Sequence, residues 1–124
     1  KVSDRITTDN GLNYLPVPME DELKAADLQG QNVLEEAVVI GDARPRLGCV
    51  YFLREGLEHS AERTEYLGSL VRDFNSGRPV DEHIGPWLVS SKSLKECGGI
   101  GPSGKLVRRR IEEKFANLYE DAAS

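Results

Sequence analysis

At 124 residues the chain has the size of one domain, and 39% hydrophobic residues suffice for a modest core while excluding a fully disordered chain. No apolar run approaches the roughly 18 residues needed to cross a bilayer, and the polar N-terminus lacks the apolar stretch of a secretory signal, so no membrane contact is expected. The net charge of −5 excludes a protein that coats nucleic acid with its whole surface, and two cysteines are too few for a disulfide framework, which points to free thiols in a reducing, cytoplasmic setting.

The chain opens on Lys1 rather than methionine, as a trimmed, processed or excised product does. Residues 1–18 read as an extended arm or hairpin, and residues 19–124 as a single α+β domain. Within the arm, Arg5-Ile6-Thr7-Thr8 and Leu12-Asn13-Tyr14-Leu15 flank Asp9-Asn10-Gly11, whose Asn-Gly pair tolerates positive φ and favours a tight turn. Pro16 and Pro18 end strand pairing, and Pro18 suits the first turn of a short helix over Met19–Leu28 that Gly30 closes. Glu20, Asp21 and Glu22 would complement the positive end of that helix's dipole.

The clearest strands follow. Ala37–Ile40 is β-branched, and Leu47–Leu53 is a nearly continuous apolar run, as a central strand covered on both faces requires. The polar, proline-containing linker Asp42–Arg46 joins them as a hairpin, which the N-terminal hairpin could extend. Over 58–75, Leu67, Leu70, Val71 and Phe74 fall on one helical stripe, Ser60 reads as an N-cap, and Asn75-Ser76-Gly77 supplies the stop. Gly68 inside this helix implies close packing. Residues 80–97 are ambiguous, with Trp87 as a core anchor and a short helix expected from Ser91 to Cys97. The last helix is expected over about 103–120, N-capped by Ser103, with Val107, Ile111, Phe115 and Leu118 buried and Tyr119 at the border.

The sharpest chemical feature is the glycine-rich loop entering that helix. Gly99-Ile100-Gly101-Pro102-Ser103-Gly104-Lys105 spells G-x-x-x-x-G-K, the string of a phosphate-binding loop. Its context fails for nucleotide hydrolysis. Leu106 stands where a magnesium-holding Ser or Thr is needed, residues 91–97 are not a buried apolar strand, and Pro102 removes an N–H donor.

What remains is charge segregation. Residues 1–40 carry three basic and eight acidic groups, whereas Lys105, Arg108, Arg109, Arg110 and Lys114 make the one dense basic cluster. Cations at a helix start oppose its dipole, so an anion there would relieve the conflict. Alternatively Arg108–Glu112 and Arg109–Glu113 pair along the helix as a solvated face, or the acidic segment Glu20–Asp27 is itself the partner.

Elsewhere the catalytic signals are thin. Cys49, Cys97, His59 and His83 stand at no metal-ligand spacing, and no triad context surrounds Ser60. The leading expectation is therefore a non-enzymatic protein-interaction, assembly or accessory module that binds a protein partner or a second copy of itself, with no catalytic residue, metal or cofactor. The alternative is nucleic-acid (RNA or DNA) or phosphate binding through Gly101, Ser103, Gly104, Lys105, Arg108, Arg109, Arg110 and Lys114. A small enzyme using Cys97 or His83 is a third reading.

Overall fold

The chain first folds back on itself: Ile6–Thr7 (β1) and Asn13–Tyr14 (β2) pair antiparallel, with Gly11 at φ 86° in the turn. The computed structural model describes residues 5–119. This hairpin forms its own two-stranded sheet and does not extend the larger one. Ile6 and Tyr14 are nonetheless buried in the main core, and the Tyr14 hydroxyl donates to the Asp81 carbonyl at 2.8 Å.

Helix α1 runs Pro16–Gln29, starting earlier than the predicted Met19. Both prolines fall in its opening turn, where a backbone N–H has no helical partner to lose. Its buried face carries Met19, Glu20, Leu23 and Asp27, so two carboxylates point at the core and the expected dipole role of Glu20 is not what the residue does.

Strands β3 (Leu34–Ile40) and β4 (Leu47–Leu53) form the predicted hairpin, with Val38 opposite Val50. A third strand, β5 (Ile84–Val89), lies parallel to β4, so β4 is central in the order β3-β4-β5. Gly85 and Pro86 had obscured β5; an edge strand tolerates a missing N–H where a central one does not. The α+β class stands, with a mixed sheet rather than a purely antiparallel one.

Alternation along β3 and β4 explains the continuous apolarity. Ala37, Val39, Leu47, Cys49 and Tyr51 face one cluster with Leu23, Leu67 and Phe74. Val38, Ile40, Val50 and Phe52 face a second with Leu94, Ile111, Leu118 and Tyr119. Both sheet faces are covered, as the composition of Leu47–Leu53 implied.

Helix α2 spans Ala61–Asn75, and its buried residues are the predicted Leu67, Leu70, Val71 and Phe74. A Cβ on Gly68 would stand 3.2 Å from the Trp87 ring, which packs edge-on to Tyr51 at 5.6 Å. Ser60 Oγ accepts the Arg63 N–H at 3.1 Å, the expected N-cap. Ser60→Ala is expected to destabilise the domain by about 1 kcal/mol in urea unfolding. An unchanged midpoint would show that solvent caps this helix equally well.

The C-terminal region departs most from expectation. Residues 91–97 form turns rather than a helix. Instead of one helix over 103–120, α3 covers Arg108–Lys114, residues 117–119 are helical again after a turn, and residue 120 lies outside the described part. Residues before α3 form a hairpin closed by an antiparallel bridge between Ile100 and Leu106. Gly104, at φ 83°, turns it, and Ser103 sits exposed in that turn instead of capping a helix. The helix start moves to Val107 because the Val107 N–H is bonded to the Gly99 carbonyl at 2.7 Å. At the other end, Phe115 leaves helical geometry and packs edge-on to Phe52 at 6.2 Å. Among the described residues no helix is long and apolar enough to cross a membrane.

Candidate functional site

The glycine-rich segment is built as a hairpin, so its amides are spent on itself. Gly101 N–H donates to the Lys105 carbonyl at 2.8 Å, and Gly104 N–H donates to the Gly101 carbonyl at 2.9 Å. A phosphate cradle would need those donors turned outward. The string G-x-x-x-x-G-K therefore does not make a nucleotide loop here. It presents one lysine: Lys105 is exposed, at the end of the turn, and has no ion-pair partner among the described residues.

The hairpin's arms are held at both ends. A Cβ on Gly99 would stand 2.7 Å from both Ile111 and Leu94, so this arm lies against the core with no room for a side chain. Arg110 Nη1 donates to the Gly98 carbonyl at 3.3 Å. Beyond Lys105 the chain dives inward at Arg108, which is only 7% exposed.

Arg108 meets Glu20 from α1 in a buried, two-pronged ion pair. The same guanidinium donates to the Val39 carbonyl at 2.9 Å, and Glu20 accepts the Val39 N–H at 2.7 Å. One arginine thus ties α3, α1 and β3 together. Burial pushes the Glu20 carboxyl above the usual carboxylate range, against the pull of Arg108 and the Val39 amide. A second carboxylate, Glu112, accepts the N–H groups of Gly41 and Asp42 at 3.2 and 3.1 Å, and burial raises it as well.

The structure therefore separates the sequence-predicted cluster. Arg108 is a core residue whose anion is the acidic segment of the chain itself. Arg110 braces the hairpin, while Lys105, Arg109 and Lys114 are exposed, with Gly101, Ser103 and Gly104 forming the turn. Arg109 also lines a pocket of about 560 Å³ with Arg5 and Arg44, but the same wall carries Asp42, Glu112 and Glu113. That mixed lining is no track for a polyanion.

Reading the sequence missed Glu20 and Asp27 as buried groups. Asp27 accepts the N–H groups of Val33 and Leu34 at 3.0 and 2.9 Å and the Tyr66 hydroxyl at 2.8 Å. The available signal was positional: Glu20, Leu23 and Asp27 stand three and four residues apart on one helix face. Of the other candidates, Cys49 is buried, with its thiol pushed up by burial, and Cys97 is half-buried with Sγ 3.7 Å from Ser90 Oγ. His59 Nε2 meets Thr64 Oγ1 at 2.7 Å, and His83 Nε2 meets the Arg78 carbonyl at 2.8 Å. Among the described residues no group of three or more His, Cys, Asp or Glu could hold a metal ion.

A mixed sheet walled by helices on one face and by a lysine-bearing hairpin and short helix on the other defines a domain class with known members. Residues 3–123 match the family described as the AMP-binding enzyme C-terminal domain, and the chain belongs to it. It is 27% identical over 135 aligned residues to the long-chain-fatty-acid–CoA ligase FadD15 of Mycobacterium tuberculosis, covering 93% of this chain and 22% of that one. The chain thus spans about a fifth of the length of the relatives it matches.

Solved structures agree on the fold. The A-PCP didomain of the carboxylic acid reductase from Segniliparus rugosus, in complex with AMP, superposes with a TM-score of 0.64 at 14% identity, over 96% of this chain and 17% of that one. Apo MatB from Rhodopseudomonas palustris does so at 0.62 and 15%, over 94% and 20%. The family match overturns the expectation of a non-enzymatic interaction or assembly module, because this is a family of enzyme domains. It gives no support to nucleic-acid binding, and the structure shows why the basic cluster misled: its members point to different places and one is buried.

Proposed function

We propose that this domain is the smaller part of an ATP-dependent ligase that activates a carboxylic acid as its adenylate and passes the acyl group to a thiol. Lys105 is the residue it contributes to the phosphate. The family match and the relative's name support the reaction class, and the observation that carries the residue is the hairpin: an exposed ammonium, without an ion-pair partner among the described residues, on a backbone fixed at both ends.

The chemistry asks for such a group. In the first step a carboxylate oxygen attacks the α-phosphorus of ATP, the bond to pyrophosphate breaks, and acyl adenylate forms. Two anions approach, and negative charge grows on the phosphate oxygens and the departing pyrophosphate. A pre-positioned cation stabilises that charge more than it stabilises the separated reactants. In the second step a thiol attacks the acyl carbon and AMP leaves, with no anion-on-anion approach at phosphorus. Lys105 should therefore matter chiefly to the first step. A single ammonium suits this contact as a point charge on a flexible stem. Because the loop's own amides are internally bonded, the base, the ribose and the remaining phosphates must be held by the larger part of the enzyme.

The test separates the two steps in the full-length ligase. Lys105→Ala is expected to lower ATP–pyrophosphate exchange by about 10²- to 10³-fold. Thioester formation from added acyl adenylate, and the unfolding temperature, should stay near those of the parent. Exchange at the parent rate would overturn the assignment.

A further inference from the structure

We infer that the buried Glu20–Arg108 pair is the positioning element for Lys105, a role that rests on the function proposed above. The hairpin bearing Lys105 is short, and an isolated two-stranded hairpin is marginal in water, so what surrounds it sets its place. One arm is held at Gly98 by Arg110 and packs through Gly99 on Ile111 and Leu94. The other passes Lys105, pairs at Leu106, bonds at Val107 and is locked at Arg108.

That lock is directional. Apolar side chains at both 20 and 108 would hold α3 on the sheet about as firmly, since a buried ion pair commonly gives no net stability over well-packed apolar groups. The two-pronged guanidinium–carboxylate contact, shared with both the N–H and the carbonyl of Val39, fixes orientation as well as depth. The backbone three residues from the ammonium is thereby referenced to β3 and α1. Arg108 does not reach the phosphate; it acts through the hairpin and is a positioning residue.

The test uses the double variant Glu20→Gln/Arg108→Met in the full-length ligase, which removes the charges of both members of the pair together. Three readouts are taken: thermal unfolding, amide hydrogen exchange at Gly101 and Val107, and the two half-reactions. The expected result is a folded protein whose Gly101 and Val107 amides exchange faster than in the parent. Its ATP–pyrophosphate exchange should fall by up to about a hundredfold, the scale of an ångström-level misplacement, while thioester formation from added acyl adenylate holds. A folded variant with parental amide exchange at these two positions and parental pyrophosphate exchange overturns the proposal, as does an equal loss in both half-reactions. Should the double variant not fold, Arg108→Lys, which keeps a charge but loses the fork, is read by the same measurements and the same criteria. The amide readout does not involve the ammonium. If Lys105→Ala leaves adenylation intact while the hairpin amides still loosen here, the assignment of Lys105 fails and the anchoring of the hairpin stands.

Discussion

Replacing Arg108 alone by methionine is expected to destabilise the domain by about 3–5 kcal/mol, which is the usual effect of stranding one member of a buried ion pair. Glu20 is only 5% exposed, so water cannot take over the role of the lost guanidinium. Its remaining hydrogen-bond partner among the described residues is the Val39 N–H, and the Val39 carbonyl loses a donor at the same time. The arithmetic changes when both partners go. With Glu20→Gln added, the stranded charge disappears and most of the loss should be recovered, so the two substitutions are strongly non-additive. Urea unfolding of the two single variants and the double variant measures this directly. A single Arg108→Met variant within about 0.5 kcal/mol of the parent, the range of ordinary surface changes, would show that the pair is solvated after all.

Asp27→Ala is expected to cost a comparable amount, roughly 3–5 kcal/mol, from leaving the N–H groups of Val33 and Leu34 and the Tyr66 hydroxyl short of their acceptor. Asp27 stands near the end of α1, where its two oxygens receive the first amides of the incoming β3, so the carboxylate joins helix to strand. The alanine side chain offers no acceptor and the site is closed to solvent, Asp27 being 2% exposed. Asp27→Asn keeps one acceptor oxygen and should recover part of the loss. Equal stability of the Ala and Asn variants in chemical denaturation would argue that water enters and replaces the carboxylate.

Much of the fold was legible where one physical signal dominated. Ala37–Ile40 and Leu47–Leu53 announce a buried hairpin by β-branching and unbroken apolarity, and the Leu67, Leu70, Val71, Phe74 stripe places α2. The Asn10-Gly11 turn likewise needs only local geometry. Strand β5 was hidden because Gly85 and Pro86 break its pattern, and its parallel pairing depends on a distant crossover through α2 that no local window contains. The last helix was started too early because Lys105 and Leu106 have adequate helix propensity and lead into Arg108. The hydrogen bonds of the hairpin, which appear only when residues 99 and 107 meet, decide otherwise.

The candidate site was half visible. Its lysine and its glycines stood out as a string, and the idea that the acidic segment might answer the basic one is realised at Glu20 and Arg108. What the string could not convey was which of five neighbouring cations is buried, which braces a loop and which is offered outward. That sorting follows from where the chain turns. The functional class was not legible: the loop's context excluded nucleotide hydrolysis, phosphate binding through Gly101, Ser103, Gly104 and Lys105 stood only as the alternative, and no residue pattern pointed to an enzyme.

The two-sided sheet has a consequence for how the protein is made. The face bearing Val38, Ile40, Val50 and Phe52 is covered by Leu94, Ile111, Leu118 and Tyr119. During synthesis the strands emerge well before the residues that cover this face. Until then an apolar wall stands open while the opposite face is already closed by α1 and α2. A nascent chain in that state is the species that chaperones bind and that aggregates when crowded. The lysine-bearing hairpin lies within the same late segment, so the end of the domain to which we assign the phosphate contact takes shape in the step that seals the core.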